Sequence, residues 1–381
     1  MPVDRLLTAL VTQVSQIEER GAAKRHEPVV TAVIPSHGLD GPRVLLAGEG
    51  DRPFIRMSSN GYLGLSIRPE LAAAEEAATR RFGTGPGAVR FISGTTEIHV
   101  ALEARLAAFH GRPAAMCFSA AYAATLGTIV PLTTGRTAVV SDELNHNCII
   151  NATKLAAPVA KAVYRHLDLD DLDRALGAMS GECDRVLVVT DGVFSMRGDH
   201  APLDVLRDVI ARHDGAFAEN AVLVVDDSHG VGAFGATGRG TEEVTGARAD
   251  ILVATLGKAL GVNGGYVAGD QAVVDLLRET APTYVYSNPI TAGEAAAALA
   301  AIDVLDGPVG HELLSALRQR TRQLRGALAQ RRQQLSTHGA VEQVDGGQRR
   351  RRFTGRDRVR VHVGGCRLPQ QVDDGLVAGD V

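Results

Sequence analysis

The stretch LVVDDSHGVG, residues 223–232, places two carboxylates and an imidazole, Asp226, Asp227 and His229, at the end of an apolar run. Thirty-two positions after Asp226, Lys258 sits between glycines in TLGKALG, one apolar run later. Small neighbours let a bulky planar group approach the lysine amine, and an acid at an adjacent strand end can keep a ring nitrogen protonated. That pair is the minimum equipment for pyridoxal phosphate: the amine forms a Schiff base, and the acid makes the pyridine ring an electron sink. Taken singly, Asp226 serves equally well as a cap for the next turn, and a lone lysine is usually a solvated residue. A second pattern competes. GVGAFG, residues 230–235, matches G-x-G-x-x-G with Asp250 twenty positions after its first glycine. However, DDSH separates those glycines from the apolar run, GATGRG follows where a helix would begin, and Asp250 opens a strand, so nicotinamide binding is disfavoured. No G-x-x-x-x-G-K-[ST] occurs, so Lys258 does not belong to a P-loop.

The elements that must position these groups follow from periodicity. Short β-branched runs at 114–118, 137–140, 185–190, 221–226, 250–254 and 264–268 read as strands. Apolar residues at helical spacing over 69–82, 97–110, 202–213 and 271–279 alternate with them. That alternation predicts an α/β architecture, a mainly parallel sheet with helices on both faces. Ligands of such sheets bind beyond the carboxyl ends of the strands, and there fall TDGVFSM, DDSHG and TLGKALG. Residues 291–335 read as one or two long helices leaving the sheet domain. The segment 336–357 has few apolar residues and a run from Arg349 to Arg352, which reads as a solvated loop.

With 381 residues, 45% of them hydrophobic, the chain can bury a large core. The predicted organisation is an N-terminal helical segment (1–45), a large cofactor-binding domain (46–290) and a small C-terminal domain (291–381). A net charge of −4 gives no general attraction for nucleic acid or anionic lipid. The cysteines at 117, 148, 183 and 366 form no C-x-x-C pair, which disfavours a disulfide framework or a zinc site. The first twenty residues lack a long apolar core and a cleavage signature, and no stretch is apolar enough for a membrane span. A cytoplasmic location is therefore expected.

Ordered motifs extend from about residue 45 to 306: MSSNGYLGL, VRFISGTTEIHVALEARLAAFHG, SDELNHNCII, TDGVFSMRGD, VVDDSHGVGAFGATGRG, TLGKALG and YVYSNPI. In them the chain resembles the α-oxoamine synthases, fold-type I pyridoxal-phosphate enzymes that condense an amino acid with an acyl-coenzyme A. VRFISGT and DDSH look most similar to glycine C-acetyltransferase, which uses glycine and acetyl-coenzyme A. The 8-amino-7-oxononanoate synthases, using alanine and a longer acyl thioester, are the alternative. The resemblance implies that Lys258 carries the cofactor and moves the α-proton, that Asp226 pairs with the pyridine nitrogen, that His229 and Ser195 contact the ring oxygen, and that His146 stacks on the ring. It also implies that the amides of Ala121 and Tyr122, in FSAAYAAT, grip the phosphate with the Thr255 hydroxyl, where an unpaired helix start favours an anion. Ser287 and Asn288 would reach across from a partner subunit, making a homodimer with shared sites.

For the substrate carboxylate the resemblance implies Asn60 and Arg360. The stretch 358–374 looks like the family's last strand and helix, but GGCR departs from its pattern, and the connection 307–357 is shorter than in relatives. The C-terminal α/β domain thus reads as shortened or altered. A guanidinium fixes a carboxylate in a bidentate way that no other side chain copies, so displacement of Arg360 would leave a cofactor-binding protein without activity. A fold-type I aminotransferase is the remaining alternative, separable by whether an amino acid alone converts the cofactor to its amine form.

Overall fold

The computed structural model describes residues 3–36 and 41–338. Among these, contacts group the chain into two units, one ending at Ser59 and one beginning at Asn60. The first contains α1 (Asp4–Glu19), which buries no residue, followed by an antiparallel hairpin of β1 (Val30–Ile34) and β2 (Arg43–Leu46).

The second unit is built on a sheet of seven strands: β3 (Ala114–Phe118), β4 (Thr137–Asp142), β5 (Ala160–Tyr164), β6 (Arg185–Asp191), β7 (Ala221–Asp226), β8 (Ile251–Thr255) and β9 (Gly265–Gly269). Their order is β3-β9-β8-β7-β6-β4-β5, and only β9 runs against its neighbours. The central strands are near-continuous Val, Leu and Ala runs because helices cover both faces. On one face Val139, Leu187, Val189, Val224 and Val253 pack together; on the other Val140, Val186, Val188, Leu223 and Val225 do.

All six expected strands are present within a residue or two, and so are the expected helices: α2 (Pro69–Phe82), α3 (Glu97–Phe109), α7 (Leu203–His213) and α9 (Gln271–Thr280). Between them lie α4 (Ala121–Leu132), α5 (Asn147–Ala156), α6 (Leu169–Met179) and the short α8 (Thr241–Thr245), with α10 (Pro282–Val285) following α9. Strand β5, AKAVY, is an addition: it lies at the sheet edge and is only part-buried, so its sequence carries no continuous apolar run.

Residues 291–335 resolve into α11 (Ala292–Asp306) and α12 (Pro308–His338). Contrary to expectation, α11 does not leave the sheet domain; it packs against α2 and α3. Its alanines allow this close approach, with Ala295, Ala297, Ala298, Ala301, Ile302 and Leu305 buried in the core. A helix apolar on most of its circumference is a core helix. The Thr291 hydroxyl accepts from the Glu294 amide at 3.0 Å while the Glu294 carboxylate accepts from the Thr291 amide at 2.7 Å, closing a capping box.

Candidate active site

Parallel pairing of β6 with β7 puts Asp191 directly beside Asp226, both at strand ends, and β8 ends next to them at Thr255. The chain then turns through TLGKALG. Leu256 N–H donates to the Gly264 carbonyl (3.0 Å) and Val262 N–H to the Leu256 carbonyl (2.9 Å), so the lysine loop is pinned at its base. Gly261 closes it with φ +75°, and a Cβ there would lie 2.4 Å from the Ser66 amide nitrogen, so both the conformation and the space require glycine. The result is a cavity of about 260 Å³ lined by Ala121, Tyr122, His146, Cys148, Asp191, Val193, Ser195, Asp226, Ser228, His229, Thr255 and Lys258.

Lys258 is the lysine on this lining. Burial pushes its amine down from the usual lysine range, against the pull of Asp226 and Asp191. The lining carboxyls differ in environment. Asp226 accepts a hydrogen bond from the Ser228 amide (3.1 Å), and its other oxygen meets only weak donors, Thr125 Oγ1 at 3.4 Å and Cys148 Sγ at 3.5 Å. Asp191 accepts from the His146 amide at 3.1 Å. Burial first, and then the neighbouring Asp226, push the Asp191 carboxyl well up, favouring its protonated form.

Asp227, the other half of the DD pair, points away from the cavity. Its carboxylate is fully buried and accepts from Thr241 N–H (2.6 Å) and Thr241 Oγ1 (2.7 Å), tying the strand end to the start of α8. The glycine run that mimicked a dinucleotide motif folds back as a loop, closed by a bridge between Val231 and Arg239.

His229 Nδ1 lies 2.6 Å from the Tyr62 hydroxyl, a contact across 167 residues. Burial, and then the nearby Lys258 charge, lower the His229 pKa to about 4. The sign follows: an unfolded chain takes a proton at this histidine near pH 6.5, while the folded site stays neutral until about pH 4, so its contribution to stability is present above pH 6.5 and lost as pH falls toward 4. We expect no protonation step at His229 between pH 8 and 5, measured on its ring-proton NMR signal assigned with His229→Gln. A step near 6.5 would contradict the assigned environment.

His146 caps α5, its Nδ1 accepting from the Cys148 amide at 3.2 Å, and this leaves the ring at the cavity wall. At the opposite side α4 begins at Ala121 behind Ala120, whose methyl group supplies no capping oxygen. The first amides of α4 therefore have no side-chain cap. Thr255 also lines the cavity, its hydroxyl donating to the Gly264 carbonyl at 3.2 Å and accepting from the Gly257 amide at 3.0 Å. Tyr122 is part-exposed and its hydroxyl accepts from Asn151 at 2.6 Å.

These residues fit pyridoxal phosphate. Its phosphate suits the uncapped start of α4, where aligned amides and the dipole favour an anion; its ring nitrogen suits Asp226; its aldehyde suits Lys258. Two buried atoms on the lining, Ser228 Oγ and Asp191 Oδ1, have no hydrogen-bond partner among the described residues, a sign of polar groups kept for a ligand.

Eight of the expected residues, Ala121, Tyr122, His146, Ser195, Asp226, His229, Thr255 and Lys258, thus line one cavity. Asn60 is exposed and does not line it, and neither do Ser287 and Asn288 at the end of α10. Arg360 lies outside the described residues, as do 349–352 and 358–374. Asp191, Cys148, Ser228 and Tyr62 are additional. Asp191 carried a signal, since it ends an apolar run as Asp226 does. Ser228 and Cys148 lie two residues from Asp226 and His146 and so stand within motifs already singled out, whereas Tyr62 depends on a contact between distant segments.

The family described as aminotransferase class I and II matches residues 52–342. An 8-amino-7-oxononanoate synthase of Geobacter sulfurreducens is 41% identical over 84% of this chain and 78% of its own length. That of Chromohalobacter salexigens is 43% identical over 67% of this chain and 64% of its own. Among solved structures, a serine palmitoyltransferase from S. paucimobilis with a bound PLP–myriocin aldimine superposes with a TM-score of 0.74 at 28% identity, covering 86% of this chain and 77% of that one. An 8-amino-7-oxononanoate synthase from Francisella tularensis gives 0.56 at 25%, covering 66% and 69%. No helix among the described residues is long and apolar enough to cross a membrane. The cavity's lysine, acid and anion-binding helix start, together with these likenesses, place the chain in the aminotransferase class I and II family, among the pyridoxal-phosphate-dependent α-oxoamine synthases, acyltransferases that join an amino acid to an acyl thioester.

Proposed function

We propose that this protein condenses alanine with a long dicarboxylic acyl thioester, as an 8-amino-7-oxononanoate synthase does, rather than glycine with acetyl-coenzyme A. Support comes from relatives about 40% identical that bear that name, and it outweighs the short-motif likeness to glycine C-acetyltransferase. The name itself gives the disconnection. In 8-amino-7-oxononanoate the terminal two carbons and the amine match alanine without its carboxylate, and the rest is a seven-carbon acyl unit ending in a free acid. The observation that carries the reading at the site is the half-buried Lys258, its amine lowered by burial, in a cavity shared with Asp226 and the start of α4.

When bound, pyridoxal phosphate supplies an electron sink that lets the amino acid lose its α-proton and attack a carbonyl. The chain's own residues have these proposed parts. Lys258 holds the cofactor and accepts the α-proton, a task eased by burial, which lowers the amine's pKa. Asp226, held by the Ser228 amide, keeps the ring nitrogen protonated. His229, neutral and oriented by Tyr62, contacts the ring oxygen with Ser195. His146 lies against the ring face, and the amides of Ala121 and Tyr122 with Thr255 bind the phosphate. Asn60, Ser287 and Asn288 lie off this cavity; Ser287 and Asn288 are proposed to reach a partner subunit's site, and Asn60 and Arg360 remain the proposed carboxylate contacts.

An absorbance titration of the cofactor-loaded protein tests the reading. Alanine is expected to change the spectrum at lower concentration than glycine or serine, and coenzyme A release is expected with the seven-carbon dicarboxylic thioester but not with acetyl-coenzyme A. Preference for glycine and acetyl-coenzyme A would restore the glycine C-acetyltransferase reading. Conversion of the cofactor to its amine form by an amino acid alone would indicate an aminotransferase.

A further inference from the structure

A second cavity, of about 500 Å³, shares Val193, Ser195 and His229 with the first. Its remaining walls include the apolar Phe194, Ala233, Phe234 and Leu317. The polar Tyr62, His200 and Thr321 also line it, and so do Arg318 and Arg322 of α12, four positions apart and hence on one helix face. Neither arginine lines the cavity around Lys258. Arg318 Nη1 donates to the carbonyls of Gly235 (3.1 Å) and Ala236 (3.4 Å), which anchors its guanidinium without neutralising it. Arg322 makes no hydrogen bond or ion pair with any described residue, and no described carboxylate pairs with either arginine.

A cavity that shares three lining residues with the Lys258 cavity, has apolar side chains among its walls and carries two guanidinium groups without a described carboxylate partner suits a particular ligand: an aliphatic chain with an anion at one end. We infer that the second cavity binds the acyl chain and that Arg318 and Arg322 recognise its terminal carboxylate, making them specificity-determining residues for a dicarboxylic acyl substrate. The inference rests on the proposed function and names which residues would select its acyl group. The phosphates of coenzyme A offer the same anionic chemistry, so the test must separate the two sources.

Two coenzyme A thioethers serve as probes, one with a seven-carbon chain ending in carboxylate and one of equal length ending in methyl. Binding of each to the cofactor-loaded protein is measured by calorimetry. Because both arginines are exposed in the free protein, each carboxylate contact is worth about 1 kcal/mol, or about fivefold in affinity. The wild type is therefore expected to prefer the carboxylate-ended probe by about twenty-fivefold. Arg318→Gln with Arg322→Gln is expected to abolish that preference while leaving the methyl-ended probe unchanged, and the double lysine variant is expected to restore part of it. Glutamine is a good helix former, so the exposed helix keeps its melting temperature. Absence of a preference in the wild type, or its survival in the double variant, overturns the inference. Equal weakening of both probes assigns the arginines to the coenzyme A phosphates and also overturns it. If the preference is present and is lost as expected, yet alanine and the dicarboxylic thioester give no turnover, the proposed function fails while the arginine assignment stands.

Discussion

Lys258→Ala is expected to lower turnover by about 10⁴-fold, the upper range for loss of a positioned proton acceptor, while the fold persists. Among the described residues that line the cavity Lys258 is the sole lysine or arginine, and burial lowers its pKa, so no second amine stands there to take its place. Arginine at the same place would fare no better, because a guanidinium does not give up its proton at working pH. Removing the ammonium relieves a desolvated charge, so the melting temperature should hold or rise even as activity vanishes. A second measurement separates the lysine's role from general damage. Borohydride reduction of the cofactor-loaded wild type, followed by peptide mapping, is expected to place the label on the peptide holding Lys258 and to leave Lys258→Ala unlabelled. A label on any other lysine would remove the basis of the assignment.

The strands that present this site are legible in the sequence because they are buried on both faces and carry no alternation to confuse with helix. RVLVVTD and AVLVVD each end in an acid, and that shared ending could be read from the sequence, but the pairing that sets Asp191 against Asp226 could not. Register between strands is a tertiary fact, and the electrostatic consequence, a raised Asp191, comes with it. The Tyr62 contact to His229 spans 167 residues, so no local pattern announces it. Strand β5 escaped detection because an edge strand with exposed Lys161 has no apolar signature. Helix α11 was legible as a helix but not as core, since alanine is equally common on exposed and buried helices and only its packing on α2 and α3 decides the matter.

The adjacent carboxylates of the DD pair should separate cleanly under substitution, one affecting activity and the other stability. Asp226→Ala removes the group that faces the cavity; its single strong hydrogen bond is to the Ser228 amide, so the loss of stability is expected to be about 1 kcal/mol. Turnover is expected to fall about 10²- to 10³-fold, the range for removing one preorganised electrostatic partner. Asp227→Ala leaves the Thr241 amide and hydroxyl without an acceptor in a fully buried place, at a cost of about 3 kcal/mol. The site is also enclosed too tightly for a larger group: Cβ atoms built at Gly192 and Gly230 would lie 2.3 and 2.1 Å from the Asp227 carboxylate. Burial raises the Asp227 pKa to about 7, partly offset by the two Thr241 bonds. The folded state then holds a proton that the unfolded chain releases near pH 4, so this group's contribution is full below pH 4 and is lost as pH rises through about 7. Asp227→Asn does not titrate, and its deficit against the wild type should shrink between pH 5 and pH 7.5 in urea unfolding midpoints. A constant deficit would mean that the carboxyl is already ionised at pH 5, held so by Thr241 more strongly than burial opposes it.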